Sequence, residues 1–356
     1  MYKKYLVVLM VIFILMMSLV GCGSSGNSSS SQSSQSSNAG QTQNQSQPAE
    51  SNAKFVLKLG HVANTDQPYH EAAVKFADMV KERTNGAVEI QIYPNSQLGG
   101  QRDLLEGLQL GTVDIVLTST AVLANFIPKC QVIDLPFIFR DNEHVYKVVD
   151  GPLADKIYEG AENQGMKVIS TWENGFRHIT NNIRPITKPD DLKGIKMRVM
   201  ESQMYIEMFK ALGANPTPMA MGEVFTALQQ KTVDAQENPI GQIYASRFYE
   251  VQKYLTLDGH TYSPETVAFS LQTWNKLPKE YQDIIIKAAQ EARDFNRQRA
   301  EEQNQKFLDE MKSKGLQVTE LTPEQKAAFQ EKMKPVWAKF ENVIGKDLID
   351  AVVNTK

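Results

Sequence analysis

The chain has 356 residues, with 38 basic against 41 acidic side chains and a formal net charge of −3. That balance excludes the basic surface of a nucleic-acid binder or a polybasic membrane-surface protein. The length exceeds what one typical core needs, so a body of two lobes is the starting expectation.

Lys3 and Lys4 precede an unbroken apolar run from Leu6 to Met17, too short and wrongly flanked for a membrane-spanning helix. A signal peptide over residues 1–21 is expected. The run ends in Leu19-Val20-Gly21-Cys22, the small-residue-then-cysteine arrangement at which bacterial prolipoproteins are cut and the new N-terminal cysteine is acylated. An ordinary signal peptide with an incidental cysteine is the alternative. The mature protein is thus expected outside the cytoplasm, lipid-anchored through Cys22 to the outer face of the cell membrane. Cys130 is the only other cysteine, which leaves no intrachain disulfide and suits a small packed apolar residue. Residues 22–53 are dominated by Ser, Gln, Asn and Gly, with almost nothing to bury, and read as a flexible tether.

From Phe55 the pattern changes. Phe55 to Val62 reads as a strand and Glu71 to Arg83 as a helix with Ala73, Phe76, Ala77 and Val80 on one face, stopped by Gly86. Val88, Ile90 and Ile92 alternate as a second strand, and strand, helix, strand at this spacing is a βαβ unit in a partly parallel sheet. Leu104 to Leu110 is a helix closed by Gly111, followed by a strand from Asp114 to Leu117. The run Leu108-Gln109-Leu110-Gly111-Thr112-Val113-Asp114 is echoed by Leu228-Gln229-Gln230-Lys231-Thr232-Val233-Asp234, which fits two related lobes. The first copy runs into Thr118-Ser119-Thr120 and the second into Gln236-Glu237-Asn238-Pro239, polar clusters at strand ends where a cleft would lie.

Between the copies, Met166 to Thr171 is an apolar strand leading to Trp172-Glu173-Asn174-Gly175-Phe176-Arg177, in which the glycine permits a bend as the chain crosses between lobes. Trp172 and Asn174 read either as cleft lining or as a core aromatic and a turn residue. Asp190-Asp191-Leu192-Lys193-Gly194 is a turn opening a strand with Ile195, Met197 and Val199 on one face and Lys196 and Arg198 on the other. A guanidinium there offers a planar fork that fits a carboxylate bidentately; two solvated surface cations are the alternative. Ser202 to Leu212 reads as a helix ended by an Asn215-Pro216-Thr217-Pro218 turn. One long helix is expected from Leu277 to Gly315, and further helices from Pro323 to Val353, with Phe329, Met333, Val336, Trp337 and Phe340 docking them.

Tyr93-Pro94-Asn95-Ser96-Gln97-Leu98-Gly99-Gly100, Asp134-Leu135-Pro136-Phe137, Asn174-Gly175-Phe176-Arg177, the run from Asp191 to Val199 and the run from Val233 to Pro239 follow one another along the folded region. In these stretches the chain resembles the DctP-like substrate-binding proteins of tripartite ATP-independent periplasmic (TRAP) transporters. The resemblance implies an α/β, two-lobed periplasmic-binding-protein-like fold with crossing hinge strands and a long helix spanning both lobes. Lobe 1 is then expected from 54–174 plus about 263–302, and lobe 2 from 175–262 plus about 303–356. It implies that Arg198 pairs with a substrate carboxylate, that Arg177 assists and that Asn238 hydrogen-bonds the same group. Glu201 and Met221 fall where relatives place a polar contact and a pocket wall, and Ser119 belongs to an uncharged cluster where the sialic-acid branch carries a charge. Glu201 would repel a second carboxylate and accept hydrogen bonds from hydroxyls, which favours a uronate or other sugar acid over a four-carbon dicarboxylate. The expected partners are that acid and the small and large TRAP membrane subunits, with the receptor a monomer. A sensor role and the receptor of an ATP-driven importer are the other binding readings.

An extracytoplasmic enzyme is the competing class. The five histidines show no HExxH or paired metal-ligand spacing, and no GxSxG elbow, CxxC pair or Gly-rich phosphate loop occurs. No catalytic residue, metal or cofactor is therefore expected.

Overall fold

The structure, a computed structural model, describes residues 53–356. The signal peptide, Cys22 and nearly all of the expected tether lie outside the described residues. The first strand, β1 (Phe55–Gly60), leads through a helix (Pro68–Arg83) to β2 (Val88–Tyr93), and β1 and β2 pair in parallel, so the expected βαβ unit is present. Pro68 sits at the helix start, where its missing N–H costs nothing, and the chain leaves through Gly86 at φ +79°. Tyr69, Ala72, Ala73, Phe76 and Val80 are its buried face. Each large apolar side chain among them contributes about 1.5–3 kcal/mol on burial.

The remaining strands are β3 (Ile115–Ser119), β4 (Met166–Asn181), β5 (Lys196–Val199), β6 (Asn215–Pro218), β7 (Ala235–Pro239), β8 (Tyr254–Leu257), β9 (Tyr262–Ser270) and β10 (Gln317–Glu320). Their order is β2-β1-β3-β9-β4-β7-β5-β6, with β8 on β4 and β10 on β8. Two copies of one motif are visible in that order. In β2-β1-β3-β9 three parallel strands are closed by an antiparallel fourth, and β6-β5-β7-β4 repeats the arrangement. The two fourth strands, β9 and β4, pair with each other and join the halves.

The sequence echo has a physical basis. Asp114 accepts from the backbone N–H of Lys58 at 2.8 Å through Oδ2, and Asp234 accepts from that of Lys196 at 3.0 Å. The backbone N–H groups of Thr112 and Thr232 donate to the carbonyls of Gly107 and Ala227 at 3.0 and 2.9 Å. The same residues thus pin the same helix-to-strand turn in each half.

One expectation is corrected. Asn215-Pro216-Thr217-Pro218 is β6, an edge strand parallel to β5 rather than a turn. Proline is tolerated there because an edge strand needs donors on one side only.

The long helix runs from Lys279 to Ser313, 35 residues, and packs against the Pro68–Arg83 helix, β4 and the Ile240–Ala245 helix. It is fastened along its length. Trp172 donates its indole N–H to the Ala289 carbonyl at 3.0 Å, Asn296 accepts from the Glu173 backbone N–H at 2.6 Å, and the Phe307 ring stacks on Tyr244 at 4.1 Å. The C-terminal helices, Pro323–Ile344 and Lys346–Asn354, bury Phe329, Met333, Val336 and Phe340 as anticipated. They reach the Gln203–Ala211 helix on one side and the Pro128–Asp134 and Leu153–Ile157 segments on the other. The segment assigned from sequence to lobe 2 alone therefore touches elements from both parts of the chain.

Candidate ligand-binding cleft

The carboxyl ends of β3, β5 and β7 converge on one cavity. Open α/β sheets bind ligands at such ends because the loops there are free to vary while the strands hold their first residues rigid. Ser119 closes β3, Arg198 and Met200 leave β5, and Asn238 leaves β7; all line the cavity. From the crossing strands β4 and β9 come Asn174, Arg177 and Glu265.

Arg198 is 2% exposed. Its Nε and Nη2 both donate to the Met219 carbonyl, at 3.0 and 2.7 Å, and its Nη1 has no acceptor among the described residues. No described carboxylate forms an ion pair with it. Burial pulls its pKa down to about 10, against the pull of Glu237 the other way, so it remains a cation at neutral pH. Lys196, which shares its strand face, stays at the surface, where its ammonium meets Asp234 at 3.5 Å.

Arg177, 1% exposed, is in the opposite condition. Glu237 accepts from its Nε at 2.5 Å and its Nη2 at 3.0 Å, and Nη2 also donates to Asn238 Oδ1 at 3.0 Å. Burial works against this cation, and the adjacent Glu237 carboxylate overcomes it and raises the Arg177 pKa. Glu237 is lowered in turn: burial opposes ionisation, and Arg177 and His260 overcome it. His260 bridges Glu237 Oε2 at 3.1 Å and Asp258 Oδ2 at 2.8 Å. Burial lowers its pKa, but Asp258 and Glu237 outweigh that and lift it to about 9, making it an imidazolium. This histidine is a satisfied structural residue.

Other residues named from sequence sort clearly. Glu201 and Met221 line the cavity, and Ser119 does so while donating its hydroxyl to Gln101 at 2.8 Å. Asn238 lines it too, with its amide N–H on Gln236 at 2.5 Å. Trp172 is a correction: it is fully buried beneath β4, edge-on to Phe76, and belongs to the core rather than the cleft. A break in the alternation of β4 decides this: Asn174 is the residue left unpaired by the register shift between Glu173 and Gly175, and it reaches the cavity while Trp172, two residues earlier, does not.

Sequence reasoning placed Glu237 in a polar cluster at the cleft without giving it a role, and passed over Glu265. The signal for Glu237 is β7 itself, a fully buried strand reading Ala-Gln-Glu-Asn-Pro, since buried polar side chains imply a network. Glu265 stands alone as an acid in the fully buried β9. Among the described residues no cluster of His, Cys, Asp and Glu is arranged to hold a metal.

The model of the bacterial extracellular solute-binding protein family 7, DctP, matches residues 59–343. The chain is 38% identical over 275 residues to the 2,3-diketo-L-gulonate-binding periplasmic protein YiaO of Escherichia coli, covering 77% of this chain and 83% of that one. A TRAP periplasmic solute-binding protein from Polaromonas, solved with bound D-erythronate, is 39% identical and superposes with a TM-score of 0.82 over 85% of this chain and 99% of that chain. One from Sulfurospirillum deleyianum, solved with bound succinate, is 38% identical with a TM-score of 0.82 over 85% of this chain and 100% of that chain. The two-lobed α/β architecture, the cleft at the strand ends and these matches agree: the chain belongs to the DctP family of TRAP solute-binding proteins.

Proposed function

We propose that this protein captures a small hydroxylated monocarboxylate, a uronate or other sugar acid, between two closing lobes and hands it to a TRAP permease. The observation that carries this reading is the free donor of the buried Arg198 guanidinium in the cavity wall. A buried cation without a carboxylate partner is costly, and an anion in the cavity relieves that cost, so closure becomes conditional on the ligand. Among the charges around the cavity, Arg177 and His260 are paired with Glu237 and Asp258, and Arg198 is the cation left without a carboxylate in contact. Arg177 is committed to Glu237, so its part is to hold Glu237 and Asn238 in place while Arg198 takes the ligand.

Glu201 in the cavity wall favours hydroxyls over a second carboxylate. The similarity to the succinate-bound protein supports a second reading, a four-carbon dicarboxylate at the same site. In either case the site holds a ligand rather than transforming it, and the receptor acts as a monomer lipid-anchored through Cys22 above the two membrane subunits.

The test is calorimetric titration of the purified protein with D-galactonate, D-glucuronate and succinate. Arg198→Lys loses bidentate geometry, and the loss of one charge-assisted hydrogen bond, about 1.5–3 kcal/mol, lowers affinity at least ~10-fold while unfolding stays cooperative. Unchanged affinity would remove Arg198 from the site. Glu201→Gln is expected to tighten succinate and weaken glucuronate; no change in either acid removes the case against a dicarboxylate.

A further inference from the structure

The cavity contains a second buried polar group that the anion site leaves unused. Glu265 lies on β9, separated from the β5 strand of Arg198 by β4 and β7, and lines the same cavity at 1% exposure. A relay of amides orients it. Gln67 donates from Nε2 to Asn174 Oδ1 at 3.0 Å, which turns the Asn174 Nδ2 toward Glu265, where it donates to Oε1 at 2.9 Å. The relay uses one carboxyl oxygen, and the other, Oε2, is buried with no partner among the described residues. Leaving such an atom unmet is costly, and a ligand oxygen can remove that cost.

We propose that Glu265 is a specificity-determining residue of the cleft, hydrogen-bonding through Oε2 to a second oxygen of a ligand whose carboxylate sits on Arg198. This rests on the receptor reading above and narrows it to acids carrying a hydroxyl or oxo oxygen at some distance from the carboxylate. Because Asn174 holds Oε1 as an acceptor, the hydrogen of the neutral acid resides on Oε2, and Glu265 acts as a donor. Burial pushes the Glu265 pKa up to about 8, with Arg177 opposing, so the neutral acid predominates at pH 7. The charged and titratable groups that meet it are Arg177 from β4 and Tyr69 from the Pro68–Arg83 helix, with Arg198 and Glu201 elsewhere on the cavity wall. Above about 8 the donor is lost and a second negative charge faces the bound anion, so affinity falls.

The experiment titrates D-galactonate and succinate into the wild-type protein, Glu265→Gln and Glu265→Met across a pH range spanning about 8. Glu265→Gln keeps an acceptor for Asn174 and an N–H donor in place of the acid O–H. It is expected to bind within a few-fold of wild type at neutral pH and to lose the weakening at high pH. Glu265→Met removes both functions and is expected to lose ~10-fold or more in affinity for the preferred acid at neutral pH, with cooperative unfolding retained as the check on folding. Wild-type affinity in Glu265→Met, or a wild-type pH profile in Glu265→Gln, overturns the assignment while leaving the receptor reading intact. Failure of the wild-type protein to bind either acid, or any member of a wider carboxylate panel, overturns both.

Discussion

Arg177 and Arg198 are the same side chain at nearly the same burial, and their neighbours make them different tools. Glu237 pairs with one through Nε and Nη2; only a backbone carbonyl meets the other. The histidine that steadies Glu237 gives a pH test of this division. Its folded pKa of about 9 lies above the ordinary 6.5, so the stability it contributes is present in full below about 6.5 and is lost as pH rises through about 9. Thermal melts of wild type and His260→Gln are therefore expected to differ most on the acid side of neutrality and to converge at high pH. A gap that stays constant with pH would mean that His260 contributes by shape alone. Period-two alternation put Lys196 and Arg198 together on one strand face just past a turn, and the family resemblance, not the alternation, singled out Arg198. The commitment of Arg177 was not legible in the sequence, because it depends on the β4–β7 register, which sets Arg177 opposite Pro239 and His178 opposite Asn238. That register is a long-range fact no local pattern carries.

Among the elements, β4 matters most to the site. Only Met166 to Thr171 was readable as a strand, since the residues after Thr171 mix polar, aromatic and glycine without alternation. The structure continues the strand to Asn181 by absorbing two register shifts. The second falls at Gly175, whose φ of +124° is open to glycine and strained for other residues. A Cβ added there would lie 3.5 Å from the Pro239 Cβ, an ordinary contact, so the cost of Gly175→Ala is backbone strain rather than collision. About 1–3 kcal/mol of destabilisation is expected, read as a lower midpoint in urea unfolding with an unchanged slope. A midpoint equal to wild type would show that the strand bends elsewhere. The β6 correction comes from the same blindness: two prolines in four residues signal a break, and only the neighbouring β5 shows that they form an edge strand.

For the whole molecule, a relation between two halves was visible from a single seven-residue echo, because both copies need the same aspartate to pin the turn; the four-stranded motif they share was not. The lobe boundaries were less visible, because the long helix and the C-terminal helices dock across the halves and no linker composition marks a border. The tether and anchor are tested at this scale as well. Cells fed labelled fatty acid are expected to label the wild-type protein and not Cys22→Ala, with ligand affinity of the folded body unaltered; a Cys22→Ala variant that still takes up the label, or an unlabelled wild type, would argue against lipid attachment at Cys22. The β3–β9 pairing carries a further consequence, for the order in which the chain folds. Ile115 hydrogen-bonds across to the strand of Phe269, so the first half keeps an open sheet edge until nearly all strands of the second half have been made. A chain made N-terminus first therefore completes the four strands β6-β5-β7-β4 before β9, Tyr262–Ser270, exists to close the first half.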